Sequence, residues 1–592
     1  MTETWNVGNP KLTNQLAADV PDIEENFDYI MACHGYWVDS SESDQGSSGS
    51  GNSIKDLVDS IGSTKKATLF LKHHAADGNT TTYTLNTSET ITSNISLYAM
   101  NGAQIAIASG VTLTINGPFH AGTHQVFSCT GTGTVVFGNG AVEKVLPQWF
   151  GATADGSTDD TTAIQKAADA VCNAGVNLYF PTGKYKITSS IAFDNSPTVT
   201  SIHIHGAGAT QVEILNNASD GAFVFNTTSY WTLLHIHDFS ITNETDTGAG
   251  SYPYMLWCEK GSFQTHIHDM ILKGEDYTGG GIYIEDNEFI KINNVYMRKF
   301  DAGAGIAFLP TSGDRGNISI DTVQVAESLY GFQFLAGGGA GYWIHCVNLY
   351  NFKTVDTTHG VYNAASNLKI SNLDIRGCHF EHTDETAGQS ITLDLGMVTQ
   401  CVTIENNFFS RGLIAIDIDN FYNVNIKNNY VFGPMGTFVN VGTHANNRGL
   451  IIGHQYYDTS GGAITTKVSD TTSTICFEYY EDSDVYSRRY YDLALINSPI
   501  MTLTADNATP SVQRGNVWKT ANTVATTITN FTNGIEGQII TVLIQDANTT
   551  IDFTGTNLKG NVGVDWSPTT DDHMTCVYDG TDWYCRISDN TA

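Results

Sequence analysis

One six-residue pattern, Ile-x-polar-x-x-apolar, recurs through the middle of the chain and limits what it can fold into. The units begin at Ile204, Ile236, Ile267, Ile292, Ile320, Ile344, Ile370, Ile404 and Ile426, 22 to 34 residues apart. Two positions after each isoleucine stand Gly206, Asp238, Asp269, Asn294, Thr322, Cys346, Asn372, Asn406 and Asn428. Repeats of that length mean a solenoid. Short β-rich units, each an aliphatic residue followed by Asn or Asp, predict an all-β chain wound as a right-handed single-stranded parallel β-helix. The aliphatic side chains would stack inward, rung on rung, and the polar residue would bond the backbone at a turn. The pattern places Ile292, Ile344, Ile370 and Ile404 in one stack and Asn372, Asn406 and Asn428 in one turn ladder.

At 592 residues the chain exceeds one ordinary globular core, a limit that a solenoid escapes by growing in one direction. Hydrophobic residues make up 41% and aromatic residues 11%, which excludes a disordered chain. The net charge of -33 argues against binding nucleic acid. The start, Met1 to Trp5, has neither a basic region nor an apolar run, so no signal peptide is expected and synthesis in a reducing cytoplasm is. No apolar run approaches a membrane span, so membrane insertion is not expected. The ten cysteines include no Cys-x-x-Cys. A four-residue turn would set Cys576 opposite Cys585, read as two reduced cysteines in a strand pair.

Along the chain, residues 1–53 read as an N-terminal attachment region and linker. Pro21 with the acids after it suits a helix start, and Ser40–Ser53 reads as flexible. Residues 54–144 read as β-rich, 145–477 as the coil, 478–495 as a connector or stalk, and 496–592 as an antiparallel β-sandwich for binding or trimerisation. Asp579-Gly580 is its strongest turn signal. Ala163, Ile164, Ala167, Ala168 and Val171 form one apolar face of a short helix, with Thr158/Asp159 offering the cap. Asp155, Asp159 and Asp160 have the look of paired catalytic acids but read as cap and turn.

Gln148-Trp-Phe-Gly-Ala152, Asp155-Gly-Ser-Thr-Asp-Asp-Thr161, Ala163-Ile-Gln165 and Phe180-Pro-Thr-Gly-Lys-Tyr185 resemble the entrance of pectate-lyase-like β-helix proteins, a superfamily that includes bacteriophage tailspikes. The resemblance implies a helix capping the open coil end and a homotrimer. It also implies attachment to a virion or tail baseplate through the N-terminus, hence location in a virion tail. The expected partner is a bacterial surface polysaccharide, capsule or O-antigen. The superfamily holds hydrolases, lyases and non-catalytic adhesins, so the resemblance does not fix chemistry.

Residues flanking inward isoleucines point outward. The repeat therefore predicts a strip containing Tyr296, Arg298, Gln324, Asn348, Tyr350, Asp374, Arg376 and Tyr430; these residues other than Asp374, with His379 from the neighbouring segment, are the expected substrate-binding residues. Rings take apolar sugar faces, and amides and guanidinium groups bond hydroxyls. Cleaving a glycosidic bond takes two carboxyl groups. Asp374 and Glu381, in the densest reactive segment of the coil, are the expected acid and base of an endo-acting depolymerase. Glu285-Asp-Asn-Glu288 competes but reads as a turn. A non-catalytic adhesin is one alternative; a lyase using His379 and Arg376 is another. Three successive rungs carry His203/His205, His235/His237 and His266/His268, read as a stacked, hydrogen-bonded surface. No metal and no cofactor are expected.

Overall fold

The computed structural model describes residues 35–477 and 500–590, except 50, 77, 195–200, 227–230, 245–252, 260–261, 278, 336–341, 364–368, 384–386, 394–397, 422, 443–448, 458–463, 471–475 and 514. The helix start expected near Pro21 and the connector lie outside the described residues. The chain divides into two compact units, residues 1–486 and 487–592.

From Lys144 to Phe477 the strands join into one parallel sheet wound as a right-handed solenoid. Each rung lays down three strands in turn, as in Trp231–His237, Ser240–Asn243 and Tyr254–Glu259. Each strand pairs in parallel with its counterpart one rung on. The three stacks are called here the first, second and third sheets. Inward residues are aliphatic or aromatic because the coil has no other place to hide them, each worth roughly 1.5–3 kcal/mol when fully buried. Rings stack along the axis inside: Phe193 lies 4.8 Å from Phe225, and Phe380 lies 5.3 Å from Phe409.

Strand register corrects the stack drawn from the repeat. Ile204, Ile236, Ile267, Ile292 and Ile320 pair in order, but Ile320 then pairs with Leu349. The column continues through Ile375, Ile404, Ile426 and Ile451. Ile344 and Ile370 pair with each other, and with Arg315 and Thr399, five residues earlier in the strand. All four isoleucines expected in one stack are buried, but in two columns. The reason is that these rungs carry the pattern twice. Ile344-x-Cys346 and Ile370-x-Asn372 make one left-handed turn, at φ 52 and 57; Leu349-x-Asn351 and Ile375-x-Gly377 make a second, at φ 48 and 63.

The turn ladder shifts with it. The corner between the first and second sheets is formed by Asp238, Asp269, Asn294, Thr322, Asn351, Gly377, Asn406, Asn428 and Gly453, all at positive φ. Asn, Asp and Gly tolerate that conformation; other residues pay roughly 1–2 kcal/mol for it. Asn372 belongs to another left-handed row with Asn317, Cys346 and Cys401. The buried amide ladder runs one residue further on. Asn407 Nδ2 donates to Ile375 O at 2.9 Å and Asn429 Nδ2 to Ile404 O at 3.0 Å, while Asn407 N donates to Asn429 Oδ1 at 2.9 Å. His454 Nδ1 closes the ladder by accepting from Asn429 N at 3.2 Å.

Coil structure begins well before Lys144. Tyr36–Trp37, Ala67–Leu71, Ile95–Ala99 and Phe119–His120 form one parallel sheet, and two further three-stranded parallel sheets accompany it. The segment read as a flexible linker is built into this part: Gln45 is fully buried, and Ser53 caps helix α1 (Ile54–Ile61) in a capping box with Asp56. Helix α2 (Thr161–Ala174) buries Ala163, Ile164, Ala167, Ala168 and Val171 as expected. It packs on Thr134–Phe137 and on the turn at Pro147–Phe150, so coil lies on both sides of it in sequence. Asp160 is its cap residue and turns its carboxylate back onto the Thr153 and Ala154 amides, at 2.7 and 3.1 Å.

In the second unit, the hairpin His573–Tyr578/Trp583–Ser588 and the strand Ile539–Leu543 pair antiparallel, as expected of a sandwich. Met501–Thr502, Val517–Lys519 and Ile539–Leu543 pair in parallel, so the six-stranded sheet is mixed. Cys576 stands opposite Cys585 and the two are joined by a disulfide, in place of the expected reduced pair.

Candidate functional site

The left-handed corner splits the outer surface into two faces, and the expected strip falls on both. On the first sheet, Asn348, Asp374 and Thr403 pair in one outward column, with Tyr350, Arg376 and Glu405 in the next. On the second sheet, Tyr296, Gln324, Lys353, His379, Phe408 and Tyr430 pair in order. Arg298, Ala326, Val355, Glu381 and Ser410 run beside them. The cause is the register above: Ile344 and Ile370 lie one turn too early, so counting from them lands on the wrong sheet. Asp374 and Glu381 are therefore separated by the corner at Gly377 and do not form a pair.

Each is held by its own neighbours. Arg376 Nε lies 2.6 Å from Asp374 Oδ1, and the Tyr350 hydroxyl donates to Asp374 Oδ2 at 3.1 Å. Arg376 reaches Glu405 at 3.7 Å, and Lys427 reaches the same carboxylate at 3.4 Å. Burial and the Asp374 charge push the Tyr350 phenol up. Glu381 lies 3.5 Å from His379 Nε2. Burial, reinforced by the Lys353 charge, holds the His379 imidazole below its ordinary value. Arg298 sits 3.9 Å from Glu275.

A groove of about 590 Å³ lies where the corner meets the second sheet. Asp238, Asp269, Asn294, Thr322 and Asn351 line it from the corner, and Ile271, Tyr296, Gln324 and Lys353 from the sheet. Its carboxylates, Asp238 and Asp269, are on successive rungs, each about 40% exposed: 40% and 41%. Asp238 Oδ2 lies 2.7 Å from His237 Nδ1, and Asp269 Oδ2 lies 2.6 Å from His268 Nδ1. Asn294 Nδ2 donates to Asp269 Oδ1. Hydrogen bonds from Asn294 and His268 hold the Asp269 carboxyl below its ordinary value. Thr322 adopts φ 54 at the groove floor, a conformation that β-branched residues rarely take.

The histidines form two columns on the first sheet, the last of them four rungs before Asp374 and Arg376 in the same columns. His203, His235 and His266 stack with ring centroids 4.5 and 4.9 Å apart. His237 stacks on His268 at 4.4 Å. Across the columns, His203 Nε2 lies 2.6 Å from His237 Nε2, and His235 Nε2 lies 2.8 Å from His268 Nε2. Burial, then the neighbouring imidazoles, pushes His203 down to about 4 and His235 to about 3.

Two acidic clusters are turns, as read. Asp155 accepts from the Ser157 and Thr158 amides, both at 2.7 Å. Asp286 is buried at φ 54 and accepts from the Thr311 and Ser312 amides at 2.6 and 3.1 Å. The groove residues missed from the sequence are Asp238, Asp269 and Lys353. The two aspartates were in the pattern, as its polar position, but a turn residue hides a second use. Lys353 falls outside the pattern because its rung was counted from Ile344.

Residues 148–247 match the family model described as rhamnogalacturonase A/epimerase, pectate lyase-like. The match contains the residues Gln148 to Tyr185 that carry the resemblance. A stretch of 73 residues, 12% of the chain, is 36% identical to alginate lyase 7 of Azotobacter vinelandii and covers 8% of that protein's length. Among solved structures, the catalytic unit of an α-1,3-glucanase from Streptomyces thermodiastaticus aligns at 14% identity and a TM-score of 0.34, over 58% of this chain and 70% of that one. A tailspike of the Acinetobacter baumannii bacteriophage Fri1, a capsular polysaccharide depolymerase, aligns at 10% identity and a TM-score of 0.25, over 76% and 80%.

Proposed function

We propose that this protein binds a bacterial surface polysaccharide along the corner groove and cleaves it internally by hydrolysis. The observation that carries the reading is the groove itself, with two carboxylates, an aromatic ring, amides and one lysine facing a single concave space. Carboxylates on successive rungs stand about one strand spacing apart, roughly 4.8 Å. That is close to the roughly 5–5.5 Å of retaining glycosidases. Asp269, held ionised, acts as the nucleophile, and Asp238 supplies the proton to the leaving oxygen. Tyr296 carries an apolar sugar face, while Gln324 and Lys353 bond hydroxyls or an acidic substituent. His379 and Tyr430 extend the same wall along the axis. Asp374 and Glu381, divided by the corner, take no part in bond cleavage in this reading. The pectate-lyase-like match over residues 148–247 supports a carbohydrate-active protein.

The proposal extends to a homotrimer in a virion tail, attached through residues 1–53. Sedimentation of the full chain should give three times the 64.1 kDa monomer mass. The deciding experiment incubates the full-length protein with a panel of capsules and O-antigens and sizes the products. Short saturated oligosaccharides support hydrolysis. Unsaturated, ultraviolet-absorbing ends would make it a lyase. Tight binding with intact polymer would make it an adhesin.

A further inference from the structure

The histidine columns do more than stack. An imidazole whose Nδ1–H is held by a carboxylate presents its Nε2 lone pair in a fixed direction, which is how metal-binding histidines are oriented. His237 has that partner in Asp238, at 2.7 Å. Its Nε2 does not point into solvent alone; it meets His203 Nε2 at 2.6 Å. His205, two residues from His203 on the same strand face, completes a group whose nitrogens all lie within 4.8 Å of one another. His235, His237 and His268 form a second group of the same kind, with Asp269 behind His268. His237 is common to both.

We propose that the chain binds a divalent transition-metal ion on this face, with His237 as the shared ligand and His203 and His205 completing the main seat. Imidazole nitrogens favour zinc, cobalt, nickel or copper over calcium or magnesium. At metal–nitrogen distances of about 2.0–2.1 Å, two tetrahedral ligands stand about 3.3 Å apart. The His203 and His237 Nε2 atoms, 2.6 Å apart, need move apart by only about 0.7 Å, within the reach of a small ring rotation. Solvent completes the coordination, since all six histidines are partly exposed. The ladder ends at His266, whose Nε2 meets Asn293 Oδ1 at 2.9 Å instead of another imidazole. Such an ion ties strands Ser201–Gly206 and Trp231–His237 together side chain to side chain. Because those strands belong to successive rungs, the ion acts as a staple along the axis. The histidine ligands are not groove residues, but Asp238 and Asp269, which orient His237 and His268, also line the groove, so the test reads metal binding directly and not hydrolysis.

The test uses the full chain without a histidine tag, stripped by chelator and titrated with Zn²⁺ by calorimetry and with Co²⁺ by visible absorption. The expected result is stoichiometric binding in the micromolar range or tighter, a Co²⁺ d–d spectrum, and a raised unfolding temperature with Zn²⁺. His237→Gln should lose at least tenfold in affinity, and His266→Gln should keep it. Circular dichroism checks that both variants retain β structure. Wild-type protein that shows no stoichiometric binding of either ion overturns the proposal. So does a His237→Gln variant that binds as tightly as wild type.

Discussion

His268 Nδ1 lies 2.6 Å from Asp269 Oδ2, and one rung earlier His237 makes the same contact with Asp238 at 2.7 Å. The repeat of this pair places two carboxylates, each fixed from the first sheet, at the rim of a groove that opens onto the second. Asp238→Asn and Asp269→Asn keep shape and remove charge. Each should lower turnover on the cognate polysaccharide by about 10²–10⁴-fold. Binding of long oligosaccharides should persist, as measured by calorimetry. Asp374→Asn and Glu381→Gln should leave turnover within a few-fold of wild type. The reverse ranking would move the reaction to the Asp374 side of the corner.

Tyr296 faces the groove, with Gln324 and Lys353 on the next two rungs of its column. Tyr296→Ala should weaken glycan binding by roughly tenfold, corresponding to about 1.4 kcal/mol lost from ring stacking. The turnover of bound substrate should change less than its affinity. Initial rates over a range of polymer concentrations separate the two effects.

Asn407 and Asn428 differ in what they hold. Asn407 is buried and satisfies the Cys378 amide and the Ile375 carbonyl. Asn407→Leu strands both groups and should cost about 1–3 kcal/mol for each one left unpaired. Asn428 turns the corner at φ 54. Asn428→Gly should be nearly neutral, while Asn428→Val should destabilise by roughly 1–2 kcal/mol because a branched side chain resists that conformation. Denaturant unfolding of the variants reads all three effects.

His454 ends the amide ladder as an acceptor, and burial lowers its pKa from 6.5 to about 4. The folded state therefore holds it neutral, whereas the unfolded chain takes up a proton near pH 6.5. Its contribution to stability is complete above about pH 6.5 and is lost as the pH falls toward about 4. The unfolding temperature of the coil should drop across that window. His454→Gln, which cannot titrate, should show a shallower fall.

The sequence by itself determined the coil, its direction of burial and the chemistry of its corners. Inward isoleucines and polar residues two positions later encode alternation and left-handed turns, and both are local properties of six residues. That is why Ile204 through Ile320 fell into true register. Only the tertiary structure decided which of two equally good hexapeptides, Ile344-x-Cys346 or Leu349-x-Asn351, meets Ile320. Register is a pairing between strands more than twenty residues apart, and both hexapeptides make a left-handed turn. The consequence is large because a corner lies between the alternatives. One choice sets Asp374 in one column with Tyr296 and Tyr430, and the actual one puts it on the first sheet, across the corner from them. In its place the actual register leaves Asp238 and Asp269 at the groove, residues whose turn-forming role was plain in the sequence and whose exposure only the fold could assign.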